Sequence, residues 1–524
     1  MQAHLSDIRD THWDAIVIGT GVGGGVAGRA LAKAGMKVLF LEKGRAGFRA
    51  EETAIDLGMG DPVARAIRGF WPDPISVDLD GRRQQLLAPL GAGLGGSSVF
   101  YAATLERPEP HDLDNLPDRP HPTGGWPVGF EAMQPWFDAA QTMFHIHGDP
   151  DPLSDIPSPC VAPAHPAAPG DAMIMDRLRG NGLHPYRLHT AVKRLAGCGD
   201  CLGHKCPRAC KMDGRSAGVE PALATGNATL LTDCEVTRLV RNADGSVRVE
   251  TSQDGAALTL SARHVVLAAG ALSSPRLLLA SASARDPQGI GNGADLVGRN
   301  LMFHLNEIFA LWPGKAAGFA GPSKSVGFRD LYFAEGQRLG MVQAMGIDVG
   351  YGEIVHHLRG RVARSWLRRM PGAMDLTRIP AAIGAKLMGT AKVFVGLLED
   401  LPYAENRVVL DADNPGLISL EYRVSEELLA RRKLFRRLIR KSFKGTRTAF
   451  LTQEPEPNFG HPCGTLRMGV DVGKSVVNAD CRVHDVPNLW VADASVFPTS
   501  MGVNPSLTIA ANALRVADRI KDSR

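Results

Sequence analysis

Residues Asp14 to Gly47 read DAIVIGTGVGGGVAGRALAKAGMKVLFLEKGRAG. An apolar run, a glycine-rich turn, an amphipathic stretch and a second apolar run make a βαβ unit of the expected length. Gly19, Gly21 and Gly24 form the GxGxxG turn. The first glycine allows the tight bend, the second lets backbone approach a pyrophosphate, and the third lets helix and strand pack closely. The phosphates would then sit on a helix N-terminus, where free N–H groups and the dipole favour negative charge. Glu42 closes the second run, 23 positions after Gly19. A carboxylate there accepts hydrogen bonds from both ribose hydroxyls and repels a phosphate on that ribose. The unit predicts a dinucleotide site; by itself it leaves FAD and NAD both open.

A chain of 524 residues exceeds one ordinary core, so two interwoven domains or a nucleotide domain with a large cap are expected. With 44% hydrophobic and 22% charged residues, the composition is that of a soluble globular protein. A net charge of +4 offers no general argument for nucleic acid. The first apolar run begins only at Ala15, no leader pattern precedes it, and no uninterrupted apolar stretch reaches the roughly 18 residues of a membrane span. The expectation is a cytoplasmic protein whose eight cysteines are thiols or metal ligands before disulfides.

Four further stretches choose the cofactor. Gly91 to Asp114 (GAGLGGSSVFYAATLERPEPHDLD) places Gly95, Gly96, Ser97 and Ser98 together, N–H and hydroxyl donors with almost no bulk. Thr229 to Val240 (TLLTDCEVTRLV) reads as one strand returning to the nucleotide domain. His264 to Ser281 (HVVLAAGALSSPRLLLAS) reads as a buried strand, a turn and a helix start with Pro275 in its first turn. Val486 to Ile520 (VPNLWVADASVFPTSMGVNPSLTIAANALRVADRI) has a strand ending at Asp493, then a loop carrying Asn504 into Pro505, read as the first position of a long helix.

In this order, these stretches resemble the glucose-methanol-choline (GMC) family of flavoprotein oxidoreductases over most of the chain. The resemblance implies an α/β fold: a Rossmann-like, glutathione-reductase-like FAD-binding domain interleaved with an α+β substrate-binding domain. It implies FAD-binding parts at 1–140, 226–300 and 456–524, the last also catalytic. A connecting cap segment at 141–225 and a substrate domain at 301–455 complete the division. Gly125 to Phe144 resembles the family's helix leading out of the nucleotide domain. The backbone of Val236 would face the adenine, Asp493 would lie near the ribityl-pyrophosphate, and the N–H groups after Asn504 and Pro505 would face the pyrimidine end of the flavin. Tyr101 departs from the family, standing where many members carry asparagine.

Oxidising an alcohol removes a proton from oxygen and a hydride from carbon, so a base must reach the hydroxyl. Histidine suits this near neutral pH. In HPCGTLRMG, His461 to Gly469, the resemblance makes His461 that base, with hydride passing to flavin N5, and Asn504 a neutral partner orienting the alcohol. Val297 to His304 is read as a structural crossing, with His304 a further candidate for the site. The expected activity is FAD-dependent oxidation of a primary or secondary alcohol, sugar- or polyol-like, with O2, a quinone or a redox protein as acceptor. A flavin lyase or isomerase on the same fold, and a flavin electron-transfer or membrane-associated dehydrogenase subunit, are the alternatives.

Cys198, Cys201, Cys206 and Cys210 fall within Gly197 to Cys210 (GCGDCLGHKCPRAC). Four thiolates this dense could hold an iron–sulfur cluster or zinc, form disulfides, or remain thiols. Arg359 to Met370 and Ala430 to Arg447 read as basic helices with apolar residues at helical spacing. They fit solvated faces, and also peripheral contact with an anionic membrane.

Overall fold

The computed structural model describes residues 5–53, 61–253, 255–314, 324–346, 354–355, 358, 362, 366–370, 372–388 and 391–523. Its first layer is a five-stranded parallel sheet in the order Leu489–Val491, Ala262–Leu267, Trp13–Ile18, Val38–Leu41, Ala228–Leu231. The central strands are apolar on consecutive residues because both faces are covered. Val22–Lys33 and Ser506–Asp522 pack against each other as covering helices.

The stretch expected to form one strand, Thr229 to Val240, forms two. Ala228–Leu231 ends the parallel sheet, while Cys234–Arg241 joins a three-stranded antiparallel sheet. The break falls at Asp233, whose φ of 52° is incompatible with a continuing strand.

A six-stranded antiparallel sheet forms the other large layer, in the order Arg447–Phe450, His304–Trp312, Lys392–Glu399, Val342–Ala344, Val326–Phe328, Tyr186–Arg187. Its period-two alternation separates two environments. Leu305, Phe309, Val342, Phe394 and Leu398 share a core with Phe435 and Ile439 of the Glu426–Ser442 helix. Gly396 lets that helix approach, since a Cβ there would lie 2.6 Å from the Phe435 ring. Asn306, Gln343, Val395 and Leu397 have the opposite parity and line a cavity.

The second basic run therefore meets protein. Its helix buries Leu428, Phe435 and Ile439. Arg431 donates to the carbonyls of Arg338 (3.0 Å) and Glu399 (2.6 Å), and Arg432 and Arg436 both pair with buried Glu307. Of the first basic run, residues 359–361 and 363–365 lie outside the described residues. Trp366 and Met370 are exposed, as are Leu376, Ile379 and Ile383 just beyond them. No helix among the described residues is long and apolar enough to cross a membrane.

Candidate active site

Between the ends of the parallel strands and the free face of the antiparallel sheet lies a cavity of about 620 Å³, the size of a ligand site. Gly19, Gly21, Glu42, Gly96, Ser97, Ser98, Val236, His461, Asp493, Asn504 and Pro505 all line it. Gly24 and Gly95 stand behind that wall. A Cβ on Gly24 would lie 2.1 Å from the Gly19 carbonyl oxygen, as its helix-packing role requires, and Gly95 adopts a φ of 98° beside Val99 and Arg215.

The nucleotide end is shaped by backbone. Gly19 has a φ of 97°, and a Cβ there would approach Ala268 O to 2.5 Å. A Cβ on Gly21, by contrast, would meet nothing within 4 Å and would project into open cavity space. The helix beginning at Val22 has no side-chain cap, so its first N–H groups are available to phosphate oxygens. Glu42 Oε2 accepts from Thr20 N (3.0 Å) and Thr20 Oγ1 (2.5 Å), and Oε1 accepts from Gly44 N (3.2 Å). Burial raises its carboxyl above the usual range, and these donors oppose that shift. The Ser506–Asp522 helix also lacks a side-chain cap. Pro505 is its N-cap, one position earlier than expected, and Asn504 Oδ1 is buried with no protein partner. Open space at Gly21, two uncapped helix starts and an orphaned amide oxygen along one cavity fit an elongated dinucleotide such as FAD.

Other expected contacts are already committed within the protein. Asp493 accepts from Gly270 N (2.8 Å), Ser274 Oγ (2.6 Å) and Ser495 N (2.9 Å), tying three segments together. Ser97 Oγ accepts from Gly91 N, and Ser98 Oγ donates to Gly95 O while accepting from Gly214 N. Tyr101 lines the cavity and donates its hydroxyl to Met212 O.

At the other end, His461 is carried on a segment pinned from both sides. Cys463 and Met302 exchange backbone hydrogen bonds of 3.0 Å, Asn458 N donates to His304 O (2.8 Å), and Leu466 N donates to Ser495 O (2.7 Å). This pinning brings a late loop to an early cofactor motif.

The His461 tautomer follows from its neighbours. His304 Nε2 lies 2.8 Å from the Met501 carbonyl oxygen, an acceptor, so Nε2 carries a hydrogen. Burial draws the His304 pKa down to about 4, so the ring is neutral and its Nδ1 bears a lone pair. His461 Nδ1, 2.9 Å away, must therefore donate to it. Asn458 Nδ2, 3.2 Å from His461 Nδ1, is a donor that points its amide toward Asn306 Oδ1 at 3.2 Å and offers no lone pair. The unprotonated nitrogen of His461 is then Nε2. Burial first, and after it the proximity of His304 and Lys324, hold the His461 pKa well below 6.5. This arrangement can take a proton from a hydroxyl at neutral pH.

His304 was legible only as a further candidate; its parity with Asn306 and Ile308 on the Asn306 face of the sheet puts it beside His461. Lys324 and Gln343, which also line the cavity, carry no motif that sequence reasoning could have found.

The cysteine-rich run forms a loop whose four cysteines are all free thiols, and among the described residues no group of three or more His, Cys, Asp or Glu is placed to hold a metal. The loop is anchored by buried Lys211, whose Nζ donates to the carbonyls of Val99 (2.9 Å), Cys201 (2.9 Å) and His204 (2.5 Å), with Tyr101 O at 3.2 Å.

The sequence matches the N-terminal GMC oxidoreductase domain over residues 13–306 and the C-terminal one over 402–513. It is 27% identical to paromamine 6'-oxidase of Streptomyces fradiae, covering 98% of this chain and 92% of that protein. It is 28% identical to 2-methyl-1,2-propanediol dehydrogenase of Mycolicibacterium austroafricanum, covering 97% and 95%. The fold is similar to that of Aspergillus oryzae formate oxidase, with a TM-score of 0.67 at 17% identity over 98% of this chain and 99% of that one. The chain belongs to the GMC oxidoreductase family and is an FAD-dependent oxidoreductase of CH–OH groups.

Proposed function

We propose that this enzyme oxidises a primary or secondary hydroxyl of a sugar-like or polyol substrate to the aldehyde or ketone, with His461 as the base. The observation that carries this reading is the hydrogen-bond chain Met501 O, His304, His461, which leaves the His461 Nε2 lone pair unclaimed beside the cavity. FAD, held by Gly21, Glu42, Val236 and the start of the Ser506–Asp522 helix, supplies the hydride acceptor when bound. His461 Nε2 accepts the hydroxyl proton as the C–H bond is broken, and the resulting imidazolium keeps its Nδ1–H bond to His304. Asn504 orients the alcohol by donating an amide N–H to its oxygen, which leaves the single hydroxyl hydrogen for His461 Nε2. Because the asparagine amide is neither acidic nor basic near neutral pH, it does not compete with His461 as base. The polar residues Asn306, Gln343 and Asn458 lining the same end support a substrate with several hydroxyls.

Anaerobic titration of the flavin spectrum with sugars, polyols, and aliphatic and aryl alcohols tests the reading. Polyols should bleach the flavin, and the rate of recolouring in air then separates an oxidase from a dehydrogenase. In His461→Ala, FAD should remain bound while the bleaching rate falls by roughly 100-fold or more. Bleaching at the wild-type rate in that variant would remove His461 from the role.

A further inference from the structure

Most charges around the cavity are matched. Lys43 pairs with Glu235 at 2.9 Å, Arg276 reaches the same carboxylate, and Asp493 is held by backbone and serine donors. Lys324 differs. It lines the cavity, is 6% exposed, and is close enough for its charge to act on His461. The carboxylate that acts on it is Glu106, which is itself buried and bound by Arg329 at 2.8 Å and Tyr186 at 3.0 Å. Burial lowers the lysine pKa to about 7. Gly346 leaves room for it: a Cβ there would lie 2.7 Å from Lys324 Cβ.

Gln343, on the cavity face of the antiparallel sheet, is 1% exposed, and its Oε1 has no protein partner. A buried amide oxygen without a donor is costly unless a ligand supplies one. The same cavity, which also holds His461 and Asn306, is thus lined by a cationic donor and by an orphaned acceptor.

We propose that Lys324 and Gln343 form an oxygen-selective subsite that binds the second functional group of the substrate, a hydroxyl or a carboxylate, and excludes an ammonium. A hydroxyl satisfies both partners, accepting from the lysine and donating to Gln343 Oε1. A carboxylate pairs with the lysine. An ammonium would place a second positive charge beside Lys324 in a low-dielectric cavity, where like charges repel strongly. The subsite rests on the polyol reading above and narrows it to polyols and hydroxy acids.

The test uses the FAD-loaded enzyme and three probes that share a six-carbon polyol chain: D-gluconate, D-glucitol and D-glucamine. Apparent affinities are read from any saturable change in flavin absorbance, whether perturbation or bleaching, under anaerobic conditions at about pH 6.5. Glucamine should bind at least about 10-fold more weakly than glucitol. Lys324→Met should bring the three probes to within about 2-fold of one another, and Lys324→Glu should make glucamine the tightest. Gln343→Leu should weaken glucitol by about 10-fold and gluconate by no more than about 2-fold, because a carboxylate brings Oε1 no hydrogen, so gluconate becomes the tightest of the three. Each variant is compared at matched flavin content and melting temperature, so a misfolded protein is recognised as such. Equal binding of glucamine and glucitol by the wild type, an unchanged ranking in Lys324→Met, or no saturable response to any probe would overturn the subsite. Bleaching by alcohols without charge ranking sinks the subsite and leaves alcohol oxidation standing. Charge-ranked perturbation without bleaching by any alcohol does the reverse.

Discussion

The two ends of the cavity are built in different ways. At the nucleotide end, neighbouring residues in one βαβ unit create the surface, and its main instruments are backbone: a left-handed Gly19, open space over Gly21 and the uncapped start of the Val22–Lys33 helix. At the substrate end, side chains come from segments hundreds of positions apart. His304 and His461 meet across 157 residues, and His304 is oriented by Met501 O across 197. The first end depends chiefly on backbone space, with the Glu42 carboxylate as its chemical mark. The second depends on which atom of which side chain holds a hydrogen.

That contrast can be broken most sharply at Gly21. Gly21→Val should leave the apoprotein folded, because a Cβ there meets nothing within 4 Å, yet bring flavin occupancy close to zero; full flavin content in the purified variant would refute the assignment. Gly19→Ala should act differently, lowering stability by about 1–3 kcal/mol through its positive φ and the collision with Ala268 O, seen as a lower melting temperature of the apoprotein. A Gly19 variant as stable as wild type would erase the distinction between a packing glycine and a ligand glycine.

At the substrate end, His304→Ala should slow flavin reduction by about 10-fold with flavin retained, since His461 loses the acceptor that fixes its hydrogen on Nδ1. The nitrogen-15 shifts of His461 should then show the other tautomer populated. His304→Asn, which can restore an acceptor near the former Nδ1, should recover part of the rate, whereas a purely structural role would give no recovery linked to the tautomer.

The pH profile sharpens the same point. Since the folded-state pKa of His461 lies well below 6.5, its base form persists through neutral pH and is lost only as pH falls through that depressed value. The rate of anaerobic flavin reduction should stay level down to about pH 6.5 and decline only on the acid side. An acid limb at pH 7 or above would contradict the burial argument. Stability carries the same sign at His304: its folded pKa of about 4 lies below the unfolded value of about 6.5. The unfolded chain therefore binds the extra proton between the two values, and folding weakens as pH falls through that window.

The smallest effect is expected at the surface. The exposed apolar residues Trp366, Ile379 and Ile383 are the remaining support for peripheral membrane contact, because the Glu426–Ser442 helix is packed on the antiparallel sheet. Co-sedimentation with anionic vesicles should drop by a few-fold in a Trp366→Ser, Ile379→Ser double variant if that contact exists, with turnover unaffected. Equal sedimentation in both proteins would retire the membrane reading.

What the sequence determined by itself is the βαβ unit, with Gly19, Gly21, Gly24 and Glu42 read from it as dinucleotide contacts. The requirements there are local: a tight turn, a helix start and a carboxylate closing the next strand repeat at short, readable spacings. It also marked His461 and Asn504, through motifs carried by resemblance. The break at Asp233 was hidden because an apolar run reads the same whether it feeds one sheet or two. The basic helix was hidden for a related reason: arginines facing water and arginines facing buried Glu307 have identical spacing. The tertiary structure alone decided the partners of His461. Strand parity shows which residues share a face, but only the Glu426–Ser442 helix covering one face of the antiparallel sheet makes the other the cavity wall of Asn306, Gln343, Val395 and Leu397. The protonation pattern of the site depends on a carbonyl, Met501 O, whose position is fixed by long-range packing and leaves no trace in residue type.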